Sequence, residues 1–153
     1  FNEAIIMRIA IGSDEKTELT DFVIEELKSK GIKLELYGPL AEEDNQWTEV
    51  AQRVAEKVKD GSCEQGILFC WTGTGVSIAA NKVPGIRAAL CTDAQTAEGA
   101  RKWNDANVLA MSLRTTSQTV AKEILDAWFS TEPEEEEKVN IGKVSEIERK
   151  YSK

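Results

Sequence analysis

The chain has 153 residues, a length typical of a single domain, and its 27 acidic and 19 basic residues give a net charge of -8. Nucleic acids and anionic membranes repel such a surface, so we expect neither as a partner. The sequence contains no histidine, the side chain that most often moves protons near neutral pH. Any catalysis must therefore use carboxylates, thiols, hydroxyls or the backbone.

The cysteines and the hydropathy of the chain indicate its compartment. Cys63, Cys70 and Cys91 form an odd set without the spacing of a zinc site. No apolar stretch approaches the roughly 18 residues of a membrane span, and no stretch has the pattern of a signal peptide. We expect a cytoplasmic protein with reduced cysteines.

Short apolar stretches alternate with segments of helical periodicity along the chain. This alternation occurs five times and is typical of parallel βαβ units. We predict one α/β domain over residues 1–153, a Rossmann-like three-layer sandwich with a five-stranded parallel sheet and helices on both faces. Strands are predicted at residues 5–12, 33–38, 66–70, 85–91 and 107–111, and helices at 19–31, 47–61, from about 76, 94–104 and 117–130.

The C-terminal part departs from this alternation. Residues 130–142 contain Pro133 and four consecutive glutamates, which repel one another, and we predict a hinge or exposed acidic connector, with a lid over a site as the alternative. Residues 143–153 follow with Val144, Ile147 and Tyr151 at helical spacing. They predict an extra C-terminal helix with a narrow apolar stripe.

The stretch FCWTGTGV, residues 69–76, ends a predicted strand in a cysteine and continues in a glycine-rich turn. Loops at the carboxyl ends of parallel strands line the ligand crevice, so Asp14 and Cys70 should lie at one edge of the sheet. Gly73 and Gly75 allow the backbone N–H groups to approach an anion. A thiolate beside such donors can remove a proton from carbon while the donors hold the developing oxyanion. A tight turn with an incidental buried cysteine is the alternative.

The other two cysteines have simpler interpretations. Cys63 lies in KDGSCEQG, which resembles an exposed turn, and we predict a free surface thiol. Cys91 closes an apolar strand and is predicted to be part of the core.

The longer block GILFCWTGTGVSIAANKVPGIRAALC, together with IAIGSD, WNDANVLA and LDAW, resembles the ribose-5-phosphate isomerase B and galactose-6-phosphate isomerase family. The likeness runs over nearly the whole chain. It implies a Rossmann-like fold and a homodimer or dimer of dimers whose active sites are shared between subunits. It further implies aldose–ketose interconversion through an enediolate, without a metal or another cofactor.

The resemblance also assigns roles by position. Cys70 matches the base that moves the proton, Thr72 the hydroxyl that assists it, and Asp14 a carboxylate on the sugar hydroxyls. Asn104 matches an amide near the reacting oxygens, and Arg114 a phosphate-binding arginine supplied by the neighbouring subunit. The loop that stabilises the enediolate corresponds to the backbone of residues 71–75, which are Trp71, Thr72, Gly73, Thr74 and Gly75.

The chain departs from the family's pattern around this same site. Glu15 and Trp103 replace histidines, the second of which is associated with opening the sugar ring. Trp47 replaces a tyrosine, and Trp71 a glycine. Each tryptophan is explained either by ordinary core or rim packing or by a reshaped sugar pocket.

Two further phosphate-binding arginines of the family align with Glu136 and Asn140. Exchanging an arginine for a glutamate replaces attraction by repulsion, a change of about 1.5 to 3 kcal/mol for a charge-assisted pair. Phosphate binding then needs a cation besides Arg114. Lys16 is the first candidate, and Lys138 and Lys143 are alternatives.

Two functions remain open from the sequence. The first is an isomerase that acts on a small sugar or sugar phosphate, with a tetrose easier to explain than a ring-closed sugar. The second is a non-catalytic sugar-binding subunit of the same fold. A nucleotide-binding regulator lacks the expected glycine fingerprint or Walker lysine.

Overall fold

A computed structural model describes residues 6–152 of the chain. Strands and helices alternate from β1 to α5, and two short 3-10 turns, Gly38–Ala41 and Glu135–Glu137, precede α2 and α6. The strands are β1 (Arg8–Ser13), β2 (Lys33–Tyr37), β3 (Gln65–Cys70), β4 (Ala88–Leu90) and β5 (Val108–Ser112). The helices are α1 (Glu18–Ser29), α2 (Trp47–Lys59), α3 (Thr74–Ala80), α4 (Ala94–Asn104), α5 (Gln118–Phe129) and α6 (Lys138–Tyr151).

The five strands form one parallel sheet in the order β2-β1-β3-β5-β4. β3 lies at its centre, and all six of its residues are buried. A strand covered on both faces has no solvent side, which explains why GILFC, residues 66–70, is a continuous apolar run rather than an alternation of apolar and polar residues. The α/β prediction with five parallel strands is confirmed.

Helices cover both faces of the sheet and enclose two separate cores. The core on one face contains side chains of α1, α4 and α5, and that on the other contains side chains of α2 and α3. Side chains of β3 alternate between the two, with Phe69 in the first and Cys70 in the second. The thiol of Cys70 therefore lies in the core that α2 and α3 cover.

The C-terminal helix begins at Lys138, five residues before the predicted start, so the predicted connector 130–142 is partly helical. The repulsion between the glutamates suggested an irregular segment. Acidic residues are favourable at a helix N-terminus, however, because they complement its dipole. Glu135 to Glu137 form the 3-10 turn that leads into α6, and Lys138 Nζ lies 2.8 Å from a carboxylate oxygen of Glu135.

Other boundaries shift by a few residues. The paired part of the fourth strand is only Ala88–Leu90, because Gly85 has a φ of +85° and turns the chain before it. α3 begins at Thr74, two residues before the predicted start. Residue 5, the predicted start of the first strand, and residue 153, the predicted end of the last helix, lie outside the described residues.

The prediction of an exposed Cys63 is wrong, because its side chain is only 1% exposed and packs in the core beneath α2. The N–H of Cys63 donates to the carbonyl of Lys57 at 3.0 Å, which folds the turn back onto the helix. Burial, with the nearby Glu35 carboxylate, raises the pKa of this thiol to about 11. Cys91 is fully buried, as predicted.

Within residues 6–152, no helix has both the length and the apolar composition needed to cross a bilayer.

Candidate functional site

Cys70 and Asp14 lie at the same edge of the sheet. Cys70 is the last residue of β3, and the register pairs Phe69 with Ser13, the last residue of the adjacent β1. Asp14 follows directly, so both residues leave the sheet at neighbouring points of its carboxyl edge. Cys70 is 6% exposed, which makes it a mostly buried thiol beside a loop rather than a surface group.

The loop after Cys70 favours glycine at position 73. Gly73 has a φ of +78°, the left-handed region that other residues rarely adopt. A Cβ at this position would lie 2.6 Å from Leu90 Cδ1 and 2.9 Å from the carbonyl carbon of Met111. The backbone of the loop is therefore pressed directly against the ends of β4 and β5.

This loop presents unpaired N–H donors. Within residues 6–152, the N–H groups of Gly73, Thr74 and Gly75 have no hydrogen-bond acceptor, and no side chain caps the start of α3. The exposed hydroxyls of Thr72 and Thr74 lie 2.8 Å apart and bond to each other. Successive N–H groups free of acceptors can stabilise negative charge on an oxygen or a sulfur beside them.

Asp14 is half-buried at the end of β1. Burial raises the pKa of its carboxyl above the usual range and is the largest cause, while the charge of Glu15 adds to it and a backbone hydrogen bond opposes it. Its neighbours Glu15 and Lys16 are exposed. A carboxyl with a raised pKa is suited to exchanging protons with sugar hydroxyls.

The predicted cations of the site differ in their surroundings. Lys16 Nζ forms an ion pair with both carboxylate oxygens of Asp21, at 2.8 and 2.9 Å, and is already engaged at the start of α1. Lys138 is paired with Glu135. By contrast, the exposed guanidinium of Arg114 has no ion-pair or hydrogen-bond partner among the described residues.

Arg114 lies beside the cysteine loop of its own chain. Its N–H donates to the carbonyl of Trp71 at 3.0 Å, and the N–H of Leu113 donates to the carbonyl of Cys70 at the same distance. The segment after β5 thus runs alongside the segment after β3. The geometry places the main chain of Arg114 next to the Cys70 loop of the same chain. That a neighbouring subunit supplies the guanidinium to each site stays a prediction.

Sequence reasoning missed Ser112. It is 4% exposed, pairs in register with Cys70, and its hydroxyl donates to the carbonyl of Trp71 at 2.9 Å. The signal was a polar residue at the end of the apolar strand VLAMS, at the carboxyl edge where Cys70 ends β3.

Trp103 and Asn104 lie at the opposite edge of the sheet. α4 starts after β4 at the carboxyl edge and ends at Asn104, just before β5 begins at the amino edge. Its 11 residues separate the two edges by about 16 Å. A single chain therefore does not bring Trp103 and Asn104 to Cys70.

These two residues line a groove of about 460 Å³ beneath the start of α6. Glu137, Asn140 and Val144 line its other wall. The acidic segment before α6 is held here by the N–H of Glu134, which donates to the carbonyl of Lys102 at 2.8 Å. It covers this groove and not the Cys70 edge.

The three tryptophans singled out from the sequence are not core residues. Trp47, Trp71 and Trp103 are 40%, 59% and 51% exposed. A Cβ at Gly75 would lie 2.9 Å from Trp47 Cε3, so this indole packs against the loop after Cys70. Two of the tryptophans thus flank the Cys70 edge, and the third lines the distant groove.

Within the described part of the chain, no group of three or more cysteine, aspartate or glutamate side chains is placed to hold a metal ion.

Comparison with known proteins identifies the family. A profile described as Ribose/Galactose Isomerase matches residues 9–147. The chain belongs to the ribose/galactose isomerase family.

Several of the similar proteins are named as sugar-phosphate isomerases. The chain is 40% identical to ribose-5-P isomerase B of Listeria innocua over 127 residues, which is 82% of this chain and 86% of that protein. It is 41% identical to D-erythrulose-4-phosphate isomerase of Pectobacterium atrosepticum over 130 residues, 83% and 85% of the two chains. The structure of ribose-5-phosphate isomerase B from Clostridium thermocellum matches with a TM-score of 0.89 at 41% identity, covering 95% of this chain and all of that one. In sequence and fold, this is an aldose–ketose isomerase of the ribose-5-phosphate isomerase B type.

The residues of the groove under α6 bear on the predicted phosphate site. Glu136 and Asn140, which the resemblance predicts to stand where the family has phosphate-binding arginines, are both exposed. Asn140 shares the groove with Trp103 and Glu137. The groove therefore offers an aromatic face, amides and a carboxylate, together with the guanidinium of Arg87, which is paired with Asp105.

Proposed function

We propose that the protein interconverts the aldose and ketose forms of a small sugar phosphate, with Cys70 as the group that moves the proton. The observation that carries this proposal is the position of Cys70 at the end of the central strand, beside Gly73, Thr74 and Gly75, whose N–H groups have no acceptor in the described chain. Membership of the isomerase family supports the same reaction type.

In the proposed step, the Cys70 thiolate removes the proton from the hydroxyl-bearing carbon next to the carbonyl. The electrons of the broken C–H bond form the carbon–carbon double bond of an enediolate, and the carbonyl oxygen takes up negative charge. The loop N–H groups stabilise that charge. Cys70 then returns the proton to the other carbon, while a proton moves between the two oxygens, a transfer that Thr72 and Asp14 assist.

We propose that two copies of the chain complete each site, as a homodimer or a dimer of dimers. Cys70, Asp14 and Arg114 lie at the carboxyl edge, whereas Trp103 and Asn104 lie at the amino edge of the same sheet. If Asn104 contacts the substrate, it has to come from a second copy. The exposed apolar side chains of α6, Val144, Ile147 and Tyr151, are available for contacts between copies.

The substrate we favour is a short sugar phosphate that is already open-chain, such as a tetrose phosphate. Trp103 occupies the position of the histidine associated with ring opening, and its indole cannot move protons in that way. Arg114 offers one unpaired guanidinium for a phosphate. Similarity to a protein named D-erythrulose-4-phosphate isomerase supports this choice, although ribose-5-phosphate isomerases are equally similar.

A non-catalytic sugar-binding subunit is the second candidate. The observation that favours it is the burial of Cys70, which leaves little of the thiol accessible to a ligand. The two candidates differ in one property, because only an enzyme exchanges carbon-bound hydrogen of the sugar with solvent.

The test is incubation with phosphorylated and free tetroses, pentoses and hexoses in deuterated water, followed by NMR of the sugar. We expect deuterium at the carbon next to the carbonyl for one short sugar phosphate. Calorimetric titration of the same panel runs in parallel. Binding without exchange would support the non-catalytic subunit, and neither binding nor exchange across the panel would overturn both candidates.

A further inference from the structure

Ser112 joins the two loops that the proposed reaction uses. Its hydroxyl donates to the carbonyl of Trp71 at 2.9 Å and accepts the N–H groups of Arg114 and Thr115, each at 3.1 Å. One buried hydroxyl thus makes three hydrogen bonds. On one side it holds the start of the Cys70 loop, and on the other the segment that carries Arg114.

The position of Ser112 makes this bonding rigid. It is the last residue of β5, it is paired in register with Cys70, and it is 4% exposed, so water does not compete for its hydroxyl. The carbonyl of Trp71 also accepts the N–H of Arg114 at 3.0 Å. Ser112, Trp71 and Arg114 therefore form a closed ring of hydrogen bonds between the two strand ends.

We infer that Ser112 is a positioning residue that fixes the distance between the proton-transfer centre at Cys70 and the anion-binding guanidinium of Arg114. This inference rests on the proposed function. A substrate bound by its phosphate at Arg114 must present its reacting carbons to Cys70, and a small error in that separation slows proton transfer strongly. Ser112 contacts neither the phosphate nor the reacting carbons of the substrate. It acts through the backbone of residues 71 and 114.

Ser13 shows that the arrangement at Ser112 is more than a generic strand ending. Ser13 also ends a strand, is fully buried, and accepts the N–H of Glu15 at 3.1 Å. Its hydroxyl bonds within its own turn, to the carbonyl of Glu15. The hydroxyl of Ser112 instead reaches a carbonyl 41 residues away in sequence, which links two different loops.

The test is a double-mutant cycle between Ser112→Ala and Arg114→Ala, measured as kcat and KM on the phosphorylated substrate. Ser112→Ala should lower kcat/KM about 10-fold, with a fall in kcat as well as a rise in KM. Arg114→Ala should then have at least a 3-fold smaller effect in the Ser112→Ala background than in the wild type, because the two act as a unit. Ser112→Thr, which keeps the hydroxyl, should restore part of kcat.

Ser117→Ala is the matched control. Ser117 lies on the same connection and loses one hydrogen bond, from the N–H of Val120 at 3.1 Å, but it does not contact the Cys70 loop. Ser117→Ala should lower thermal stability without changing kcat. Its effect on kcat/KM and that of Arg114→Ala should be additive. Additive effects of Ser112→Ala and Arg114→Ala would overturn the inference.

A second readout does not need activity. Amide hydrogen exchange at residue 115 should accelerate in Ser112→Ala, because the N–H of Thr115 loses its acceptor, and should stay unchanged in Ser117→Ala. The N–H of Arg114 keeps the carbonyl of Trp71 as an acceptor and should respond less. Accelerated exchange in a protein that isomerises no sugar would mean that the proposed function has failed while the structural link stands. Unchanged exchange would overturn the link itself.

Discussion

The indole of Trp47, at the start of α2, packs against the α-carbon of Gly75, at the start of α3. A Cβ on Gly75 would come within 2.9 to 3.3 Å of three atoms of the indole ring. The loop that follows Cys70 is therefore confined from outside by Trp47, and from inside by the contact of Gly73 with Leu90 and Met111.

This contact predicts an effect of Gly75→Ala whose sign depends on Trp47. In the wild type the added methyl group meets the indole and should destabilise the fold by about 1 kcal/mol. In a Trp47→Ala background the same change should be neutral or stabilising by up to about 1 kcal/mol, since alanine favours helix over glycine. Urea unfolding of the four variants measures both effects.

Gly142→Ala is the control for the Gly75 cycle. Gly142 lies in α6, and a Cβ there meets nothing within 4 Å. It should stabilise the protein slightly in either background. Destabilisation by Gly75→Ala of equal size with and without Trp47 would contradict the proposed packing.

Comparing alanine variants at Gly73 and Gly61 distinguishes the cost of a left-handed backbone from the cost of a steric clash. Both have a positive φ, +78° and +83°, but a Cβ at Gly61 has open space around it. Gly61→Ala should cost about 1 kcal/mol for the left-handed conformation alone, and Gly73→Ala roughly 1 to 3 kcal/mol more because the loop has to move. Equal losses in thermal or urea unfolding would show that the loop is not pressed against the strand ends.

Asp14 predicts a pH dependence of stability. Its folded-state pKa is raised, mainly by burial, so the native state binds the proton more tightly than the unfolded chain. The contribution of Asp14 to the free energy of unfolding should therefore be greatest below its pKa in the unfolded chain, near 3.8. It should fall as the pH rises through the higher pKa of the folded state. Asp14→Asn should be more stable than the wild type at pH 7, and the difference should shrink in acid.

Asp93 should behave in the opposite way. Its carboxylate caps α4 through the N–H of Thr96 at 2.7 Å, and hydrogen bonds to Thr96 lower its pKa. Asp93→Ala should be less stable than the wild type at neutral pH, with the difference lost as the pH falls through the lowered pKa. Unfolding curves from pH 3 to 8 compare the two variants, and the same sign for both would contradict the account of Asp14.

The separation of the two edges predicts complementation between inactive variants. Cys70→Ala and Asn104→Ala are each expected to be inactive or nearly so. In mixed dimers, one of the two sites combines an intact Cys70 edge with an intact Asn104 edge. Random remixing should therefore recover about a quarter of wild-type activity. Activity that stays at the mean of the two separate variants would argue against sites shared between copies.

The strands and the position of Cys70 followed from sequence because they depend on local patterns. An apolar run such as GILFC and a glycine-rich turn record burial and backbone conformation directly. The burial of Cys63 could not be predicted from the sequence, because it depends on a main-chain hydrogen bond to Lys57 that folds a polar turn back onto α2. The helix start at Lys138 was missed since repulsion between glutamates was weighed without their favourable position before a helix.

Specific side-chain pairings and hydrogen bonds between loops could not be predicted from the sequence. Lys16, which we expected to bind a phosphate, forms an ion pair with Asp21 instead. No local sequence pattern distinguishes a lysine that binds phosphate from one that pairs with a carboxylate. The hydrogen bonds of Ser112 depend on the register between β3 and β5, which only the folded sheet defines.

The central claim is that the sulfur of Cys70 moves hydrogen between two carbons of the substrate. The direct measurement follows deuterium at those carbons for the wild type, Cys70→Ser and Cys70→Ala, at matched substrate saturation. We predict label in the sugar with the wild type, and loss of at least about 1000-fold in the labelling rate with either variant while sugar binding is retained. Labelling by Cys70→Ala at a rate within 10-fold of the wild type would contradict it, because another group would then be moving the proton.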